Sequence, residues 1–200
     1  HSRRLLRHRL GRFPMPTGQE IVNSAFGAYR LALLDATALR WFTISIPAFW
    51  RSFIAALLVA PPFALIVALR FDPEFMAGGS YWLSEITSYV LGWIVFPAVM
   101  VPVCWALSLG SYYFTYIIAY NWSAVVQVSV ILPVVILDSS GLLPATLNTF
   151  LGLLVTGALL FYQWFIARTA LRAAPMLALA VVVVDLMLGL VVTLGVERLF

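Results

Sequence analysis

Hydrophobic residues run along most of this chain in long blocks separated by short polar breaks. The first uncharged block, about 52–69, has 18 residues and would reach roughly 27 Å as a helix, close to the hydrocarbon thickness of a bilayer. Further blocks follow at about 86–109, 112–137, 149–167 and 176–195. The pattern predicts an all-α membrane protein with five transmembrane helices in a single domain over 52–200.

The breaks between these blocks contain the residues that usually end helices. Glycine, proline and charged residues cluster at 70–79, Gly110-Ser111 separates the second and third blocks, and Asp138-Ser-Ser-Gly141 ends the third. The fourth helix begins either at Thr149 or as early as Leu142, with Pro144 in its first turn. The polar connections are too short for a separate soluble domain.

The segment 17–51 before the first block has a different pattern. Thr17 and Glu20 form a T-x-x-E capping box, which predicts a helix start. Apolar side chains then recur at helical spacing, at Val22, Phe26, Tyr29, Leu33 and Ala36. We predict an N-terminal amphipathic helix over about 18–39. It either packs on the protein's own cytosolic face or lies in the headgroup layer, and we favour the headgroup layer.

Composition strengthens the membrane assignment. The chain is 63% hydrophobic and 10% charged, and its mean hydropathy is +1.00. Soluble domains are nearer half apolar and a quarter charged. The composition therefore excludes most classes of soluble enzyme.

The positive charge is concentrated at the N-terminus. All 12 basic residues are arginine, and five of them lie in the basic tail 1–16, which we expect could fall outside the mature fold. With the N-terminus inside, the inner side carries five of the remaining arginines and the outer side two, which predicts an N-in, C-out topology. Arginine without lysine favours a bacterial inner (cytoplasmic) membrane, while the Arg-rich start keeps a mitochondrial inner membrane as the alternative.

The sequence lacks the residues that most catalytic and cofactor sites require. No histidine follows His8, so paired-histidine haem sites, H-E-x-x-H zinc sites and serine–histidine pairs cannot be built from this sequence. No nucleotide-binding glycine motif occurs, and Cys104 lies in an apolar run typical of a small core residue. We expect no enzymatic activity, no metal, no cofactor and no nucleic-acid partner.

One acidic residue lies near the centre of a predicted span. Asp185 stands in the sequence VVVVDLMLGL, and a charge at that depth costs about 2.5–3.5 kcal/mol on insertion scales. Gly189 and Thr193 share its face, which predicts that this side of the fifth helix packs inward.

Polar residues on the third and fourth helices offer partners for this acid. The third helix carries a stripe of Tyr112, Tyr116, Tyr120, Ser123 and Gln127, and the fourth carries Thr149, Gly152, Thr156 and Gln163. We predict a midplane polar cluster of Asp185, Gln127, Tyr120, Ser123 and Thr156. Such a cluster suits an ion pathway, and it also suits hydrogen bonds that hold helices together, which is the interpretation we favour.

The arginines nearest the predicted inner boundary are candidates for contacts with lipid headgroups, namely Arg40, Arg51, Arg168 and Arg172. The expected partners are the lipid bilayer and either another membrane protein or further copies of this chain.

Three functions remain open at this stage. We favour a non-enzymatic polytopic inner-membrane protein that serves as an accessory, assembly or scaffolding subunit, because the sequence lacks recognisable chemistry. The alternative is a small proton- or ion-coupled transporter or channel that uses Asp185. The least favoured is a membrane enzyme whose arginines bind a lipid substrate.

Overall fold

The structure, a computed structural model, describes residues 15–74 and 78–199. It is helical, with no β-strand in the described residues. The helices are α1 Gly18–Ala32, α2 Ile46–Ser52, α3 Ile54–Arg70, α4 Gly78–Ala106, α5 Tyr113–Ser139, α6 Ala145–Ala170 and α7 Pro175–Glu197, with 3-10 helices at Ala36–Trp41 and Gly110–Tyr112. Residues 1–14 of the predicted basic tail lie outside the described residues.

Five helical stretches of the described chain are long and apolar enough to cross a membrane, as predicted. They are Ile46–Arg70, Gly78–Ala106, Gly110–Ser139, Ala145–Ala170 and Pro175–Glu197. The second helix starts eight residues earlier than the predicted Ile86, because hydropathy marks the apolar part of a helix and not its polar first turns. Pro144 caps α6 and does not lie within its first turn, so the fourth helix begins between the two predicted starts.

The N-terminal helix forms where the capping box predicts it but ends earlier than expected. Thr17 Oγ1 accepts the Glu20 backbone N–H at 3.1 Å, while the Glu20 carboxylate pairs with Arg51. The helix stops at Ala32, and Leu34 adopts a φ of 61°. Asp35 then caps the 3-10 helix, so the predicted single helix to Leu39 is two elements.

Asp35 also fixes the turn between these elements. Its carboxylate accepts hydrogen bonds from the Thr37 hydroxyl at 2.6 Å and from Arg30 Nε at 2.9 Å. These two bonds hold the pKa of Asp35 below its ordinary value.

The face that α1 buries is not the apolar stripe. Small residues and one leucine pack inward, at Ser24, Gly27, Ala28 and Leu31, whereas the stripe residues Val22, Phe26, Tyr29 and Leu33 are exposed. The outward apolar stripe is the arrangement that a helix in the headgroup layer requires. Placement of α1 in that layer stays a prediction.

Helix α5 is the centre of the bundle. It packs against α1, α2, α3 and α6 and touches α4, while α7 packs between α4 and α6. Its first half is buried almost continuously, at Tyr116, Ile117, Ile118, Ala119, Asn121, Trp122 and Ser123. Cys104 is buried beside this region, as expected for a small core residue.

Two predicted inward faces are not packed against a neighbour. On α7, Gly189 and Thr193 are exposed, and α7 buries Ala178, Val181, Val182 and Val196. On α6, a Cβ at Gly152 would meet nothing within 4 Å, so Gly152 and Thr156 do not form a close helix crossing. The spacing of small residues alone does not determine which neighbour a helix approaches.

Candidate functional site

Asp185 lies near the middle of α7, ten residues after Pro175 and twelve before Glu197. The Tyr120 hydroxyl on α5 donates a hydrogen bond to Asp185 Oδ1 at 2.8 Å. The ring of Tyr120 is held by Phe96 on α4, with ring centroids 4.5 Å apart. This bond therefore joins two helices that are distant in sequence, and it directs one oxygen of the carboxylate.

Ser123 and Gln127 continue the polar stripe on α5. The Gln127 amide Nε2 donates to Ser123 Oγ at 3.0 Å, and Ser123 Oγ donates to the Tyr120 carbonyl at 2.6 Å. The serine hydroxyl is thus satisfied locally and fixes the rotamer of Gln127. It does not contact Asp185 directly.

A cavity of about 340 Å³ lies among α5, α6 and α7 beside this cluster. Its polar lining consists of Asp185, Gln127, Thr156, Gln163 and Arg70. A second cavity, of about 270 Å³, lies among α3, α4, α5 and α6 and is lined in part by Tyr120. Gln127 and Gln163 line both cavities, so the two amides separate two adjoining spaces.

The larger cavity extends toward an acidic end of the bundle. Arg70 ends α3, and it lies within electrostatic reach of Glu85, which is also within reach of Glu197. Three further acids belong to this end, at Asp72, Glu74 and Asp138, and Arg198 is its other arginine. Five acids therefore outnumber two arginines there, and a cation is attracted to this end.

The core of the opposite half is closed between α4, α5 and α6, and its apolar grooves lie at the surface. Five large side chains there, from α4, α5 and α6, are at most 3% exposed, namely Phe96, Met100, Tyr116, Ile117 and Ile166. Tyr162 adds a hydrogen bond from its hydroxyl to the Ala28 carbonyl of α1 at 2.8 Å. Asp185 thus stands at the boundary between an open half and a closed half.

The four predicted headgroup arginines have different surroundings. Arg51 is ion-paired with Glu20 at 3.0 Å, and its side chain is 15% exposed. The other three guanidinium groups are exposed and lie against aromatic rings: Arg40 on Trp41, Arg168 on Trp164 and Arg172 on Tyr112. Arg51 therefore has a structural partner, whereas the other three remain accessible to a headgroup.

The structure brings the predicted cluster together around one cavity. Asp185, Gln127 and Thr156 line it, Tyr120 bonds to Asp185, and Ser123 supports Gln127. Gln163 belongs to the same site, and its place on the polar stripe of α6 is the signal that could have added it. Arg70 belongs to no polar stripe, because the rest of its helix is apolar, so the sequence did not indicate that it lines this cavity.

Asn121 is a polar core residue that the sequence did not single out as part of a site. Its Nδ2 donates to Ser52 Oγ at 2.9 Å, and within the described part of the chain its Oδ1 has no hydrogen-bond partner. It lies off the stripe of Tyr116, Tyr120 and Gln127, so periodicity gave it no weight. This bond ties α5 to the end of α2.

Over residues 15–74 and 78–199, no group of three or more histidine, cysteine, aspartate or glutamate side chains could hold a metal ion. The polar groups of the site are one carboxylate, two amides, a phenol, a hydroxyl and, at the end of the cavity, the Arg70 guanidinium. Oxygen atoms of this kind can bind a small hydrated cation or exchange a proton.

No family model, no curated protein and no solved structure matches the chain.

Proposed function

We propose that this multi-pass membrane protein binds a small cation at Asp185 as part of proton- or ion-coupled transport. The observation that carries the proposal is a carboxylate at mid-depth that lines a polar cavity and accepts a hydrogen bond from Tyr120. A carboxylate that served only to join helices would need its partner but no adjoining space. The cavity beside Asp185 supplies that space, and the acid excess at the bundle end favours entry of a cation.

The residues divide the task by their chemistry. Asp185 provides the charge that attracts the cation, and Tyr120 holds one of its oxygens. Gln127 and Gln163 offer amide oxygens on the wall between the two cavities, where they replace part of the cation's water shell. The packed half beyond Phe96 and Tyr116 would have to open for the cation to cross.

The test uses the purified full chain in proteoliposomes under imposed gradients of H⁺, Na⁺ or K⁺. We expect flux above that of empty vesicles for at least one of these ions, and a loss of at least about tenfold in Asp185→Asn. Thr193→Val is the matched control, because it removes an exposed polar group from the same helix that lines neither cavity, and it should leave flux unchanged. Asp185→Glu, which retains the charge, keeps the test valid if Asp185→Asn fails to fold.

The transport proposal would be refuted if none of the three ions showed flux above that of empty vesicles. Equal flux through Asp185→Asn and the wild-type chain would also refute it. A lowered thermal stability in Asp185→Asn with unchanged flux would assign the carboxylate to helix packing.

An accessory, assembly or scaffolding role in a membrane complex is the second candidate. An apolar groove of about 600 Å³ between α2, α4 and α5 favours it, because Trp105 at its edge is 79% exposed. Phe161 on α6 is a second large aromatic side chain that is exposed. Gentle-detergent purification with mass spectrometry of co-purifying proteins tests this role, and a chain that purifies alone counts against it.

Topology and location complete the proposal. We propose an N-in, C-out chain in a bacterial inner membrane, since Arg40, Arg168 and Arg172 lie at one end of the bundle. Cys104 is the single cysteine, so a Cys104→Ser chain with one new cysteine at Thr37 or Ser140 can be labelled from either side. Labelling of Ser140→Cys from the cytoplasmic side would reverse the assignment.

A further inference from the structure

A second apolar groove runs between α6 and α7 on the outside of the bundle. It has a volume of about 370 Å³, and apolar or aromatic side chains line it throughout, among them Phe161, Leu179, Val183 and Leu186. The groove lies toward the C-terminal end of α6 and the N-terminal end of α7, which residues 171–174 connect. Its apolar lining suits a hydrocarbon chain.

Trp164 fixes the end of this groove nearest the connection. Its indole Nε1 donates to the Pro175 carbonyl at 3.0 Å, so the ring bridges α6 to the first residue of α7. Phe161 stacks on it with ring centroids 5.3 Å apart. The groove therefore ends at an immobilised tryptophan, the residue that membrane proteins commonly place at the headgroup level.

An arginine lies directly on this tryptophan. The Arg168 guanidinium carbon is 5.3 Å from the Trp164 ring centroid, and the side chain is exposed. Ion pairs in the described chain involve Arg30 and Arg51, and no described acid pairs with Arg168. A guanidinium stacked on a ring keeps its N–H groups at the edge, where a phosphate can accept two of them.

We propose that this groove is a binding site for an anionic phospholipid. One acyl chain lies between α6 and α7, and the phosphate accepts hydrogen bonds from Arg168. The groove adjoins the cavity at Asp185, since Leu160, Val182 and Leu186 line both, but Arg168, Trp164 and Val183 line only the groove or its end, and the proposal stands whether or not the chain transports a cation.

The groove between α2, α4 and α5 provides a comparison within the same molecule. It is larger, at about 600 Å³, and it is also lined by aromatic residues such as Phe53 and Tyr113. The arginine that follows Trp50 on its edge, Arg51, is already paired with Glu20. This groove can hold an acyl chain without a preference for the headgroup.

The experiment measures lipid binding to the full chain in mild detergent by native mass spectrometry. Phosphatidylglycerol and phosphatidylcholine with identical acyl chains are the two probes, and glycerol 3-phosphate tests the headgroup without a chain. The variants are Arg168→Gln, Arg168→Lys and Val183→Trp, the last to fill the groove. Arg198→Gln, which removes an arginine at the far end of α7, is the control.

We expect the wild-type chain to retain phosphatidylglycerol over phosphatidylcholine, and Arg168→Gln to lose about tenfold in retention of the anionic lipid alone. Arg168→Lys should retain part of the preference, Val183→Trp should weaken both lipids, and Arg198→Gln should match the wild type.

Equal retention of the two lipids by the wild-type chain would overturn the proposal. Binding of glycerol 3-phosphate as tight as that of phosphatidylglycerol would also overturn it, because it would show an adventitious ion only. If Arg168→Gln does not fold, the wild-type preference and Val183→Trp still decide the outcome.

Discussion

The two halves of the helix bundle are built from similar residues but packed differently. In the half that contacts α1, Ile117, Met100 and Ile166 are fully buried. In the other half, cavities of about 340 and 270 Å³ lie beside Asp185 and Tyr120, and a Cβ on Gly152, which lines the first of them, would touch nothing within 4 Å. The grooves of about 600 and 370 Å³ in the first half lie at its surface and not in its core. The difference predicts that the closely packed core contributes more to stability than the half that keeps space beside Asp185.

The contribution of α1 explains much of this contrast. It packs against α5 and against the 3-10 helix Ala36–Trp41, it buries Ser24, Gly27, Ala28 and Leu31, and it contacts α6 through the hydrogen bond from Tyr162 to the Ala28 carbonyl. No comparable element covers the other half in the described chain.

The largest expected effect on stability comes from replacing one isoleucine of α5 in each half of the bundle. Ile117→Ala removes a fully buried side chain from the closed half and should lower the free energy of unfolding by about 2–5 kcal/mol. Ile131→Ala removes one that lines the cavity, and it should cost less than about 2 kcal/mol because part of that side chain already faces open space. Unfolding in detergent followed by circular dichroism measures both.

Similar destabilisation at the two isoleucines would show that both halves are equally packed, and the contrast would then be wrong.

Two glycines should give effects of opposite sign. A Cβ at Gly27 would lie 3.0 Å from the Phe42 ring and from the Trp41 Cβ, so Gly27→Ala should destabilise the protein by about 1 kcal/mol after the gain in helix propensity. Gly152→Ala meets open space and should stabilise it by about 0.5–1 kcal/mol. Thermal unfolding midpoints give both signs, and a stabilising Gly27→Ala would contradict the close packing of α1.

Removal of the Tyr120 hydroxyl tests the boundary between the halves. Tyr120→Phe keeps the ring against Phe96 but takes the donor from Asp185, and hydrogen bonds between membrane helices are worth about 0.6 kcal/mol on average. We expect a loss of stability near that size, with a clear change in cation flux. Tyr113→Phe, which removes a hydroxyl that donates to the Pro97 carbonyl, is the matched control and should leave flux unchanged.

The smallest expected effect is a loss of stability in the N-terminal segment at low pH. Hydrogen bonds from Thr37 and Arg30 lower the pKa of Asp35, so its contribution is complete above the ordinary value near 4 and is lost as the pH falls through the lowered pKa. The difference in melting temperature between the wild-type chain and Asp35→Asn should therefore shrink between about pH 5 and pH 2. A difference that grows on acidification would contradict this sign.

Periodicity and capping residues predicted most of the fold, because each span is long, apolar and bounded by turn residues. They could not place the end of α1, where Asp35 begins a second helix through its own hydrogen bonds. They also gave no indication of which face of α1 packs on the bundle, since that face is formed by small residues such as Gly27, which leave no apolar periodicity.

The candidate site was predicted for a different reason. Asp185 is conspicuous in an apolar run, and the stripe on α5 pointed to Tyr120 and Gln127. The cavity beside them was not predictable, because it depends on side chains that do not meet, at Gly152 and Thr156. Space left between helices has no sequence pattern of its own.

The docking of α1 also constrains how the chain is made. Its partners on α5 and α6 follow much later in the sequence, with Tyr162 lying 134 residues after Ala28. At translation rates of roughly 5–20 residues per second, the first helix waits on the order of 7–27 seconds for its site to appear. Its outward stripe of Val22, Phe26, Tyr29 and Leu33 would let it bind the lipid surface during that interval. The membrane would then retain α1 near its packing site until α5 and α6 have been synthesised.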